Sequence, residues 1–155
     1  MRNLKTLSLL AILLVFSVVS TQAKGKQGKY FVSSKNVAIE GYDVVGYFNQ
    51  NLALRGSKEH AVKYNGATYF FASEENRQAF QADPEKYLPQ YGGWCAFAIA
   101  AKKMKVAPDP KTFKLVDGKL YLFYNGEMMN TIIPWNANEQ NLKIKADQNW
   151  AKIGN

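Results

Sequence analysis

The chain holds a single cysteine, Cys95, downstream of what reads as an export signal. Exported domains commonly use paired cysteines as disulfide staples. A lone cysteine cannot staple its own chain, so this fold must be held by its core. The composition suits that demand: 47% of residues are hydrophobic and 14% aromatic. That is too apolar for a disordered chain, and the aromatic share predicts a core built largely from rings.

Residues 1–23 read as a secretory signal peptide. Arg2 and Lys5 give a basic start, Leu7 to Val19 an apolar run, and Thr21-Gln22-Ala23 a small-residue cleavage site. The run is short for a spanning helix, which needs about 20 residues. Cleavage therefore predicts a periplasmic or secreted protein without stable membrane insertion; a retained N-terminal anchor is the alternative. Residues 24–36 read as a flexible leader and residues 37–155 as one domain.

Two hairpins stand out. Val62-Lys63-Tyr64 and Ala67 to Ala72 flank Asn65-Gly66. Phe113 to Val116 and Lys119 to Tyr124 flank Asp117-Gly118. Both dipeptides favour tight hairpin turns. Ser73 is placed to cap a following helix with Glu74 and Glu75 in its first turn. Pro84 to Leu88 suggests a short helical turn, and Trp94 to Ala101 a buried alanine-rich helix. Leu142, Ala146, Trp150 and Ile153 make an apolar stripe over a last helix, Asn138 to Ile153. Gly41 to Phe48 fits either an extended segment or a short helix opened by Asp43. The expected fold is α+β: two β-hairpins packed with several short helices in a single compact domain.

The formal charge is +8. The basic residues are mostly dispersed, and the densest run, Lys102-Lys103-Met104-Lys105, reads as a solvated turn. No nucleic-acid motif is present, and export argues against that partner. Signatures of conventional hydrolases, metalloproteases, phosphate loops and dinucleotide sites are also missing.

Cys95 follows Tyr91-Gly92-Gly93-Trp94. The glycine pair implies a tight turn or a close approach to something. Three readings stay open: a buried inert thiol, a ligand for a soft metal ion such as copper, or a reactive thiol. His60 is the only imidazole, and so the only partner for a Cys–metal–His site or a Cys–His nucleophile. Met104, Met128 and Met129 are the thioethers after the initiator. Asp43 is the best buried-acid candidate, with capping as its alternative role. Tyr42, Asp43, Tyr91, Gly92, Gly93 and Trp94 are the candidate lining of a ligand pocket, with Cys95 expected at its edge and at a helix start.

Several blocks, in order, resemble the exported YHS-domain proteins. They are Ala38 to Val45, Tyr64 to Asn76, Asp83 to Tyr87, Tyr91 to Ala96, Asp117 to Leu122 and Ala146 to Trp150. The short YHS modules are similar over residues 64–87, and metal binding is ascribed to them. In those modules one cysteine follows the hairpin and a second sits in the next helix. Here Ala72 and Asn76 stand at the matching places, so a thiolate pair is not implied for this hairpin. The resemblance implies a small exported binding module taking a soft metal ion or small ligand near Cys95. A thiol-dependent enzyme or redox protein, or an interaction module without small-molecule chemistry, are the alternatives.

Overall fold

The two turn dipeptides close the hairpins expected of them. In the computed structural model, which describes residues 28–127 and 129–155, Asn65 and Gly66 have φ of 48° and 80°, and Asp117 and Gly118 have 51° and 68°. Positive φ at both central positions matches the right-handed twist of the flanking strands. Strand β1 (Ser57–Tyr64) pairs antiparallel with β2 (Ala67–Phe71). Strand β3 (Asp109–Val116) pairs antiparallel with β4 (Lys119–Phe123). A third, two-residue pair follows, β5 (Asn125–Gly126) with β6 (Met129–Asn130).

Helices α1 (Val44–Gln50), α2 (Glu74–Ala82) and α3 (Pro84–Tyr87) pack around the first hairpin. The ambiguous stretch after Gly41 is thus helical, opened by Asp43 as its cap. Ser73 Oγ accepts the N–H of Asn76 at 3.2 Å, as its position predicted. Helices α4 (Ala96–Lys102), α5 (Ile132–Ala137) and α6 (Glu139–Ile153) serve the second half. Helix α4 starts two residues later than the sequence suggested. Neither α5 nor the β5–β6 pair was expected.

The core is built from rings, as the composition required. Phe80 of α2 meets Tyr64, Tyr69 and Phe71 of the first hairpin at centroid distances of 4.9 to 5.8 Å. Trp135 of α5 meets Tyr121 and Phe123 of β4 at 5.8 and 5.3 Å. Tyr47 of α1 joins the two halves: its buried hydroxyl donates to Pro110 O at 2.7 Å. Such ring pairs add about 0.5 to 1.5 kcal/mol each beyond the burial of area.

The expected signal peptide, residues 1–23, lies outside the described residues, as does Met128. The described part of the expected leader is not a loose tail. Phe31 is buried, and its N–H donates to Gly92 O at 2.8 Å. Val32 bridges to Ala38, and Val37 to Thr68 beside β2. The alternation of lysine and glycine before Tyr30 hid this docking, because its partners lie some sixty positions away.

Candidate functional site

Cys95 is the N-cap residue of α4, at the helix start the sequence placed it. It is not at a pocket edge: no part of it is exposed. Its Sγ accepts the N–H of Tyr124 at 3.2 Å and lies 3.4 Å from Thr131 Oγ1. The Thr131 hydroxyl donates to Tyr124 O at 2.8 Å. With that proton committed, the contact left for Oγ1 is to accept from the thiol. The three groups close a ring of donors and acceptors, and the buried sulfur is satisfied inside it.

His60 sits on β1, half-buried, with Nδ1 3.5 Å from Glu74 Oε2. Glu74 is also held by Arg77 and Gln78, and these bonds lower its pKa to about 2. The polar partners of the Cys95 sulfur are the Thr131 hydroxyl and the Tyr124 backbone N–H, and the His60 ring is paired with Glu74. The structure does not bring the Cys95–His60 pair together. Met104 and Met129 are both exposed.

Asp43 is fully buried. Its Oδ1 accepts from the N–H groups of Val45 and Gly46 at 2.8 and 3.2 Å. Its Oδ2 accepts from the Ala72 N–H at 2.8 Å and from Asn76 Nδ2 at 2.7 Å. One carboxylate therefore caps α1 and ties it to the end of β2 and to α2. Every oxygen is occupied by a protein donor, which is the condition for burying a charge without a counter-ion.

The glycine pair marks a close approach, and the approaching partner is the chain itself. A Cβ on Gly92 would stand 2.1 Å from Lys29 O, and one on Gly93 2.5 Å from Ile39 Cδ1. The Trp94 indole N–H donates to the same Lys29 O at 3.2 Å, and its ring packs edge-on against Phe31. Tyr42 lies beneath the Arg55 guanidinium, 4.1 Å from its ring centroid.

Beside Gly92 a groove of about 370 Å³ opens to solvent. It is lined by Lys29 and Tyr30, by Glu85 and Leu88 to Gly92, and by Asp147, Trp150 and Ala151 of α6. Tyr91 and Gly92 of the expected pocket line it; Tyr42, Asp43, Gly93 and Trp94 do not. The Tyr91 hydroxyl donates to Asp147 Oδ1 at 2.8 Å, and the Tyr64 hydroxyl to Glu85 Oε1 at 2.6 Å. Burial, and then the Asp147 bond, push the Tyr91 pKa far above its ordinary value. Sequence reasoning missed Asp147, Trp150, Glu85 and Tyr30. Only the apolar stripe gave any signal for Trp150, and it read as core.

The family model of the YHS domain matches residues 45–91. No curated protein and no solved structure matches the chain. Metal binding is the role ascribed to YHS domains. Among the described residues, no three His, Cys, Asp or Glu side chains stand together as ligands. The places after the hairpin where short modules carry thiols are instead drawn onto Asp43 Oδ2. The matched stretch begins in the first turn of α1 and ends at Tyr91, which lines the groove; α4 to α6 follow it. Residues 45–91 of this chain are thus similar to the YHS domain, and the rest of the chain lies outside that match.

Proposed function

We propose that this protein is an exported binding module that takes a small polar molecule in the groove between its YHS-like stretch and α6. The observation that carries the reading is the Tyr91–Asp147 hydrogen bond at the groove, which joins the last residue of the YHS-like stretch to the closing helix. Sites between structural units are common places for ligands. The lining sets the ligand class. Tyr30 and Trp150 offer ring faces, while Asp147 and Glu85 offer carboxylate oxygens and Lys29 one cation. A ligand with hydroxyl or amino donors and one flat or apolar face matches that set. The carboxylates then need no metal, and Cys95 serves the fold.

A metal ion on Cys95, or a reaction at its sulfur, finds less support. Both need an accessible sulfur, and this one is sealed between Tyr124 and Thr131. Export rests on the signal-like residues 1–23, and with it a place in the periplasm or outside the cell.

The test is mass spectrometry of small molecules released on denaturing the protein recovered from its native host. A co-purifying polar molecule, lost from Trp150→Ala and Asp147→Asn variants that still fold, is the expected result. If nothing co-purifies and a panel of sugars, amines and amino acids leaves Trp fluorescence and melting temperature unmoved, the reading fails.

A further inference from the structure

A second cavity, of about 310 Å³, lies on the first hairpin and shares no residue with the groove. It is lined by Lys35, Asn36, Lys63, Gly66, Ala67 and Thr68. Short-range bonds build it. Ser33 Oγ accepts the N–H groups of Lys35 and Val37 at 3.3 and 3.2 Å, which closes the loop before Ala38. The Thr68 N–H donates to Asn36 O at 2.7 Å, and the Ala38 N–H to Thr68 O at 2.9 Å. Strand β2 is thereby held between this loop and β1, where Lys63 pairs with Thr68. Residues paired directly across two strands share a face of the sheet, so Lys63 and Thr68 stand side by side, and the docked loop brings Lys35 and Asn36 to the same cavity.

The lining carries one sign of charge. Its charged groups are the two lysines, and no carboxylate lines it. Neither lysine joins an ion pair among the described residues. The Thr68 hydroxyl and the Asn36 side-chain amide have no hydrogen-bond partner among the described residues. Some of this has a local cause: the left-handed φ of 57° suits an asparagine at position 36, and an exposed lysine suits an outer strand such as β1. Neither rule supplies the second lysine at the same cavity, with a free hydroxyl and a free amide beside the pair.

We propose that this cavity binds a phosphate group carried on a small soluble molecule. A phosphate monoester has about two negative charges at neutral pH and three acceptor oxygens. The two lysines match the charge, each acting as a point cation, and Thr68 and Asn36 supply neutral donors. A carboxylate would leave one cation unmatched. The volume, at the small end for ligand pockets, admits the phosphate and a few further atoms. A soluble ester is favoured over a lipid headgroup because none of the exposed large apolar side chains lines the cavity, so nothing there would enter a lipid layer. The site stands independently of the groove.

Titration with glycerol 3-phosphate, followed by backbone-amide NMR of the protein at constant ionic strength, tests this. The signals of Asn36, Lys63 and Thr68 should move while those of Tyr91, Asp147 and Trp150 at the groove stay in place. Acetate should need about tenfold more to match the response. Lys35→Gln with Lys63→Gln should weaken binding about tenfold, and the control pair Lys111→Gln with Lys119→Gln on the second hairpin by less than about twofold. Thr68→Val keeps the β-branched shape that suits a strand, so the melting temperature should hold while binding weakens. No shift at Asn36, Lys63 and Thr68 by about 10 mM ester, an equal response to acetate, equal losses from the two glutamine pairs, full binding by Thr68→Val, or a response to phosphatidic acid vesicles alone would each overturn the proposal. Shifts confined to the groove residues would overturn it too, and would leave the groove reading standing.

Discussion

The backbone N–H of Tyr124 points at the sulfur of Cys95, 3.2 Å away, where a polar loop leaves β4 and the chain turns toward α5. The contact gives the lone cysteine a structural task. It satisfies a backbone donor just beyond the end of β4, and Thr131 completes the arrangement from the other side.

The native thiol should therefore resist labelling by a disulfide reagent and react only as the chain unfolds. Cys95→Ala strands the Tyr124 N–H and leaves space at the sulfur, and should cost about 2 kcal/mol in a denaturant titration. Rapid labelling of the folded protein would show that the sulfur is exposed in solution.

Asp43→Asn should be more damaging. An amide in place of the carboxylate sets an NH2 group against at least one of the N–H donors of Val45, Gly46, Ala72 and Asn76. A loss of about 2 to 4 kcal/mol is expected, measured by chemical denaturation. A variant as stable as the parent would mean that the clamp contributes little.

Gly92→Ala and Gly66→Ala make a matched pair. Both sites have positive φ, 61° and 80°, so both substitutions strain the backbone. At Gly66 an added Cβ meets nothing within 4 Å, whereas at Gly92 it meets Lys29 O at 2.1 Å. Thermal melts should place Gly66→Ala within about 1 to 2 kcal/mol of the parent. Gly92→Ala should fall further, by releasing the segment around Phe31.

Alkaline pH should unfold the protein. Burial is the main cause that raises the pKa values of Tyr47, Tyr69 and Tyr91 well above their ordinary 10.0. Each stays protonated in the fold after its unfolded counterpart has ionised, so the unfolded chain binds fewer protons there. Stability is then level with respect to these groups below about pH 10 and falls as pH rises beyond it. Melting temperatures between pH 8 and 11 should follow that course, with a shallower fall in Tyr91→Phe.

What the sequence made legible was local. Asn65-Gly66 and Asp117-Gly118 announce their turns because the required φ values belong to those residue types. Ser73 announces a helix because its hydroxyl reaches only three residues on. The site depended on distant pairs instead: Tyr91 with Asp147, Cys95 with Thr131, Asp43 with Asn76. A threonine like Thr131 carries no motif, and Pro134 inside α5 masks the helix that follows it. The Gly92-Gly93 signal was correct in kind, since something does approach the backbone there. Sequence could not reveal that it is Lys29, which lies in a stretch that reads as leader.

That approach also orders the events of folding. During synthesis the N-terminal end comes first, yet Phe31 finds its partner only when Gly92 arrives, and Trp94 is then needed to hold Lys29. The segment has to wait through the appearance of the whole YHS-like stretch with an aromatic side chain undocked. Closing so long a loop costs chain entropy before any contact is gained, so docking of this strap should be a late step, after both hairpins have formed. Since Lys29 and Tyr30 of the strap also line the groove, the groove is complete only in molecules that have docked it.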